Sequence, residues 1–343
     1  MKAARLMEPY KIVLEEAPVP QITPDEVLLK IICFGICASD QQIYHGKHKY
    51  AAMPVVMGHE LTAVVQEAGS AVTGFKAGDK VTVEPQVYCG ACTPCKQGRF
   101  NVCENLKVIG VHLDGGNREY MAIDPKYLHL LPPELDDEVA ALVEPLSVGV
   151  GSIKRSRMFR GGNVVVMGAG TIGNLTAQAA KGLGAGKVLI CDILQEKLDY
   201  ALECGIDFAA NTAKIPLEQA ILDAFGPQKA DVIVDCVAAP ALFESILQAA
   251  RPNSEIIMTG NYKEPVRFEV PLMQRREISL IGHMMYVRED YADAIRLLSE
   301  GRINTTKVIS QRYVFADYPK AFVFADEHPE QVMKMIVRLH DRN

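Results

Sequence analysis

Val164-Val165-Val166-Met167-Gly168-Ala169-Gly170-Thr171-Ile172-Gly173 reads as a buried strand, a glycine turn and the opening of a helix. Three successive valines favour an extended, fully packed strand. The G-x-G-x-x-G that follows allows a tight turn and close backbone approach, and a helix starting there presents unbonded N–H groups to a pyrophosphate. Glycine turns that bind nothing share this pattern, so the context decides. Here a helix-length segment, 172–183, comes next, then an apolar run, 188–191, ending in the acidic Asp192. Gly168, Gly170, Thr171, Ile172 and Gly173 are therefore candidate contacts to a dinucleotide. Asp192 would accept the hydroxyls of an adenosine ribose and repel a 2′-phosphate, and no arginine follows closely to rescue one. NAD is expected rather than NADP. Lys197 either lies along the ribose edge or sits on a solvated helix face.

Outward from this motif the alternation of strand and helix continues through 195–204, 232–234, 241–250, 255–258 and 278–281, the rhythm of a doubly wound parallel sheet. The first third differs. Its short Val- and Ile-bearing runs, broken by Gly, Pro and Asp, have β-barrel or sandwich texture. Helix and strand patterns return in 291–298 and 334–339, with no place left in a completed nucleotide-binding sheet. They are expected to pack back on the first domain. The expected division is 1–148 and 287–343 for a β-rich domain, with 149–286 inserted as the α/β domain, and a short hinge near Gly149.

With 343 residues, 49% of them hydrophobic, the chain can bury two cores. Net charge is −6, which offers no footprint for nucleic acid. No apolar run suits a signal peptide or a membrane span, so a soluble cytoplasmic protein is expected. Of the nine cysteines, four are clustered as Cys89-x2-Cys92-x2-Cys95-x7-Cys103 among Gly90, Pro94 and Gly98. Four thiolates in one loop can close a tetrahedral zinc site with no open position, so this zinc would be structural. Four separate buried thiols would not require that spacing or those turn residues.

A second set begins at Gly35-Ile36-Cys37-Ala38-Ser39-Asp40 and meets Gly58-His59-Glu60. A thiolate, an imidazole and a carboxylate suit zinc, and three protein ligands leave room for a catalytic fourth. Alone, His59 is a structural histidine and Cys37 a small buried hydrophobe. Their occurrence beside the four-cysteine lobe favours the metal.

In this order and at these intervals, the three constellations resemble the zinc-containing medium-chain dehydrogenases over essentially the whole chain. The resemblance implies a GroES-like catalytic domain made from both chain ends and an inserted Rossmann domain. Glu144-Pro145-Leu146, where simple alcohol dehydrogenases carry a cysteine, resembles the sorbitol, threonine and sugar-acid branch. In that branch the matches of Cys37, His59 and Glu60 hold the catalytic zinc, with the match of Glu144 touching the metal or its water. The stretch from Asn101-Val102-Cys103 through Val108-Ile109-Gly110 to Gly116 also looks like dehydrogenases acting on aldonates such as L-galactonate. Ala38 and Ala63 replace glycines of the family. Gln42 stands where relatives end the proton relay in histidine, so Ser39 would pass a proton to the nicotinamide ribose, and water, His45 or His48 would finish the path.

The expected reaction is metal-assisted hydride transfer between a secondary alcohol of a polyol or sugar acid and NAD, with zinc as Lewis acid and the cofactor supplying the redox chemistry. Oxidation of an amino alcohol such as threonine is the alternative. Zinc-free quinone reduction is opposed by the two metal sets, and a non-catalytic nucleotide sensor by the presence of Cys37 and His59. The partners expected are a small-molecule substrate and further copies of the chain, as a homodimer or homotetramer paired near 279–283, with neither nucleic acid nor membrane.

Overall fold

The computed structural model describes residues 1–339, which form two compact units. One comprises 1–144, 287–299 and 309–339; the other comprises 145–286 and 300–308.

The second unit is built on a six-stranded parallel sheet. Its order is Phe208–Asn211, Lys187–Asp192, Asn163–Met167, Val232–Asp235, Glu255–Met258 and Ser279–Gly282. Val164, Val165 and Val166 are wholly buried in the centre, as a parallel sheet covered on both faces requires. The strand order reverses between Asn163–Met167 and Val232–Asp235, and the glycine turn leaves the first of these. That is where open α/β sheets bind ligands. The sequence reading passed over the strand Phe208–Asn211 and the helices Leu217–Phe225 and Val270–Arg276, whose apolar runs are short.

Gly149 is not a hinge. It lies within the helix Val143–Lys154, where a Cβ would stand 2.9 Å from the Cα of Thr176 on the helix Thr171–Gly182. The glycine lets two helices approach at backbone distance, which a sequence pattern does not distinguish from a flexible joint. The segment 300–308 also departs from the expected division, because it belongs to this second unit. The Asn304 backbone donates to Gln178 Oε1 at 2.7 Å, Gln178 Nε2 donates to the Asn304 carbonyl at 3.1 Å, and Arg302 donates to the Gly182 carbonyl at 3.1 Å.

The first unit centres on a sheet whose main path runs Leu128–Leu130, Lys80–Val83, Glu60–Ala68, Val27–Ile36, Lys334–Arg338 and Ile309–Val314. The C-terminal strand Lys334–Arg338 thus lies beside the N-terminal strand Val27–Ile36, antiparallel to it. Apolar packing explains the return of the chain. Tyr318 and Phe322, wholly buried on the helix Tyr318–Glu327, pack against Phe34 and Tyr44 with ring centroids 5.4 and 4.7 Å apart. Asn117 donates to the Tyr318 hydroxyl at 2.7 Å. Tyr291, on the helix Arg288–Ser299, donates to the Val83 carbonyl and stacks on His129. Among the described residues no helix is long and apolar enough to cross a membrane.

Alanine is the better helix former by roughly 1 kcal/mol, so Gly149→Ala would raise stability at a flexible or exposed position. Close packing on Thr176 reverses the sign. Thermal denaturation should show a lowered Tm for Gly149→Ala, and an unchanged or higher Tm would restore the hinge.

Candidate metal centres and dinucleotide site

Cys89, Cys92, Cys95 and Cys103 place their Sγ atoms within 4.8 Å of one another. Tetrahedral zinc with Zn–S bonds of ~2.3 Å has S···S edges of roughly 3.8 Å. Cys92 and Cys103 are 3.9 Å apart, and Cys89 and Cys103 3.5 Å, close to that edge and far beyond a disulfide bond. Backbone N–H groups of Ala91 and Cys92 donate to Cys89 Sγ, and those of Cys89 and Asn105 to Cys103 Sγ. The Ala91 and Cys92 amides pull the Cys89 thiol down to about 6, which favours the thiolate a metal needs. The lobe fits a closed structural zinc.

The second centre is assembled from two sheet strands and the helix Ala38–Tyr44. Cys37 caps that helix, and Asp40, three residues on, accepts from the Cys37 N–H at 3.0 Å. Cys37, His59 and Glu60 bring ligand atoms within 4.8 Å of one another. His59 Nδ1 faces the fully buried Asp40 Oδ1 at 3.7 Å, too far for a hydrogen bond, and neither atom has another partner. Two orphaned buried polar atoms in line suggest a ring that would settle once Nε2 is ligated. Burial opposes charge on His59, but Asp40, Cys37 and Glu144 outweigh it and raise its pKa well above the usual value. The same anionic surroundings attract a divalent cation, so this set too fits zinc.

Backbone packing fixes His59. Gly58 has φ +100°, and a Cβ there would meet Asn117. Gly110 and Gly115 lie against the Gly58 backbone, and the N–H of Gly116 donates to the Gly58 carbonyl at 2.9 Å. The stretch 108–116, singled out above for its likeness to aldonate dehydrogenases, is thus also the brace behind the histidine.

Other expected residues take different places. Glu144 is buried in the first turn of its helix, outside the three-residue cluster but near enough to act electrostatically on His59 and Lys334. Ser39 Oγ is 3.5 Å from His59 Nε2. His45 Nε2 pairs with Asp326 at 2.9 Å, and its ring lies beside Tyr10 and Tyr44. Lys334 went unnoticed in the sequence. Its Nζ lies 2.6 Å from both oxygens of Glu60 and 3.2 Å from the Ile36 carbonyl, wholly within the protein. Burial opposes its charge, but Glu60, with Cys37 and Glu144, more than offsets that and raises its pKa. Nothing local marks a lysine whose partner is 274 residues away.

In the second unit Gly168 has φ +92°, and Gly170 ends the turn as N-cap of the helix Thr171–Gly182 without a side-chain cap. A Cβ on Gly170 would meet open space, while one on Gly173 would collide with the Gly168 carbonyl. So the third glycine serves packing, and the second leaves a cradle that fits a pyrophosphate. Thr171 and Ile172 form the first turn, and Lys197 is half-buried on the helix Gln195–Glu203. Asp192 accepts from the N–H groups of Ala169, Ile193 and Leu194 at 2.6, 2.7 and 2.9 Å. Those bonds fill most of a carboxylate's ~4 acceptor positions.

Residues 23–133 match the family model of the alcohol dehydrogenase GroES-like domain and 171–300 that of zinc-binding dehydrogenases. Sorbitol dehydrogenase of Bacillus subtilis is 30% identical, with 98% of this chain and 97% of that one covered. The 2-dehydro-3-deoxy-L-galactonate 5-dehydrogenase of Pseudoalteromonas atlantica is 32% identical over 96% of this chain and 95% of its own. An alcohol dehydrogenase of Escherichia coli CFT073, solved with NADH, superposes with a TM-score of 0.92 at 30% identity, covering 99% of both chains. The chain belongs to the zinc-containing medium-chain dehydrogenases.

Zinc analysis should separate the two centres. Cys92→Ser should lose the structural ion and lower Tm by several degrees, because a structural zinc contributes folding free energy. Cys37→Ser should lose the other ion and all turnover while melting near the wild-type temperature. The opposite pattern of stability would exchange the two roles.

Proposed function

We propose that this protein is a zinc-dependent oxidoreductase of the polyol and sugar-acid branch, moving a hydride between a secondary alcohol and NAD. The observation that carries this is the cluster of half-buried Cys37 with the buried His59 and Glu60, flanked by Glu144 in place of a second cysteine. The names of the sorbitol and galactonate relatives support the substrate class.

Residues 1–144, 287–299 and 309–339 would form the catalytic domain, and 145–286 with 300–308 the NAD-binding domain. Cys37, His59, Glu60 and Glu144 would hold the catalytic zinc, and Cys89, Cys92, Cys95 and Cys103 the structural one. When bound, the catalytic zinc acts as a Lewis acid that makes a hydroxyl more acidic. Ser39, half-buried beside His59, would accept the hydroxyl proton at Oγ and pass its own to water, since His45 is held by Asp326. Gly168, Gly170, Thr171, Ile172 and Gly173 would seat the pyrophosphate, while Asp192, with Lys197 beside it, would meet the ribose. The edge strand Ser279–Gly282, at the end of its sheet, suits pairing with a second copy, so a homodimer or homotetramer in the cytoplasm is inferred.

Asp192 would meet the ribose, although three amides already share its carboxylate. NAD should exceed NADP in kcat/KM by at least tenfold, and Asp192→Ala should narrow the ratio. Steady-state kinetics with both cofactors decide the point; equal efficiency would overturn the role given to Asp192.

Substrate preference follows from the carboxylates. Lys334 offsets the charge of Glu60, so an anionic sugar acid meets less repulsion than two unpaired carboxylates would impose. A buried acceptor left unpaired costs ~1–3 kcal/mol, and 1.4 kcal/mol is about tenfold in rate. A hexitol or hexonate should therefore exceed 2-propanol by roughly 5- to 140-fold in kcat/KM for each hydroxyl recognised. Threonine belongs in the same comparison, since its amine and hydroxyl serve the same acceptors. Preference for 2-propanol would remove the polyol reading, and preference for threonine would establish the amino-alcohol alternative.

A further inference from the structure

We infer that Tyr262 is a positioning residue for the nicotinamide half of the dinucleotide site, tying the chain that leaves one sheet strand to the turn that leaves its neighbour. This rests on the reading of the glycine turn 168–173 as a dinucleotide site.

Which half lies where follows from the sheet. A dinucleotide straddles the point where strand order reverses. Asp192, the ribose candidate, ends a strand on one side of that point. The nicotinamide half therefore falls to the carboxyl ends of Val232–Asp235 and Glu255–Met258 on the other.

Asp235 fastens those two ends together. Its carbonyl accepts from the N–H groups of Thr259 and Gly260 at 2.9 and 2.8 Å. Its wholly buried carboxylate accepts from those of Val237 and Ala238 at 2.9 and 3.1 Å. Ala238 is held at φ +61°, in the left-handed region that a non-glycine residue keeps only where its surroundings fix it. Space is filled on either side. A Cβ on Gly260 would stand 2.8 Å from Ala238 Cβ, and one on Gly168 would stand 2.8 Å from Val237 Cγ2. The turn 236–239 is thus pressed between the dinucleotide glycines and the segment that begins at Thr259.

Both amides take Asp235 Oδ1, and Oδ2 accepts from the Tyr262 hydroxyl. Burial and the Asp235 carboxylate push the Tyr262 pKa up, so the hydroxyl keeps the proton it donates. Its ring meets Phe243 edge-on at 6.2 Å, and Lys263, Glu264 and Pro265 beyond it are exposed. Tyr262 therefore ties down the segment leaving Glu255–Met258 before it runs onto the surface. A bond that served folding alone would act on the whole cofactor alike, whereas one that positions the nicotinamide wall acts on that half.

The test measures, by calorimetry on the zinc-loaded full chain, the binding of NADH and of ADP-ribose, which keeps the pyrophosphate and adenosine but lacks nicotinamide. Tyr262→Phe keeps the ring and loses the bond. It should raise the Kd of NADH at least ~5-fold, since one buried acceptor is left unpaired, and change that of ADP-ribose less than about twofold. Phe243→Leu loosens the ring packing without touching the hydroxyl, and should lower Tm while leaving both affinities within about twofold. Unchanged NADH binding in Tyr262→Phe, an equal loss for both ligands, or the same NADH loss in Phe243→Leu would overturn the role of Tyr262. Failure of the wild-type protein to bind either ligand would instead overturn the dinucleotide reading itself.

Discussion

The buried ion pair of Glu60 and Lys334 joins the two ends of the chain inside one sheet. Removing one partner of such a pair leaves an uncompensated charge and costs about 3–5 kcal/mol. That is a large share of the ~5–15 kcal/mol by which a domain is stable. The pair also sits at the strand that delivers Cys37 and at the residue following His59. The constraint that closes the discontinuous domain is therefore the one that shapes its metal cluster. The aromatic packing of Tyr318 and Phe322 on Phe34 and Tyr44 brings the returning chain to that position, and the ion pair sets its register.

Backbone-to-backbone approach recurs at both ligand sites. Gly110 and Gly115 press on Gly58 behind His59, and Gly173 packs on the Gly168 carbonyl beneath the dinucleotide turn. Each removes a side chain where one would force ligand-bearing backbone out of place. His59 and the glycine turn are held by main chain, which has fewer conformations to lose than long side chains do. The family glycines replaced by Ala38 and Ala63 fall outside these contacts: Ala38 is exposed and Ala63 is buried within a strand.

How far the site was legible follows from the range of each interaction. The four-cysteine lobe is local, and its spacing sufficed. The glycine turn is local too, and the strand, helix and acidic residue around it lie within thirty residues. Asp40 was legible in principle, since it stands three residues after the helix cap. Misreadings arose where one residue type serves two purposes. Gly149 suggested a joint and proved a helix contact.

The sequence by itself determined the class of the fold, both metal sets and the dinucleotide turn, because each depends on residue type at short spacing. Strand periodicity and cysteine or glycine intervals survive any tertiary arrangement. Only the tertiary structure decided which residue faces Glu60, that 300–308 belongs with the α/β unit, and that Asp192 already serves three amides. Those outcomes depend on which distant segments pack together. A buried charge is paid for by whichever partner the fold brings near, and nothing in the neighbouring sequence of Glu60 names Lys334.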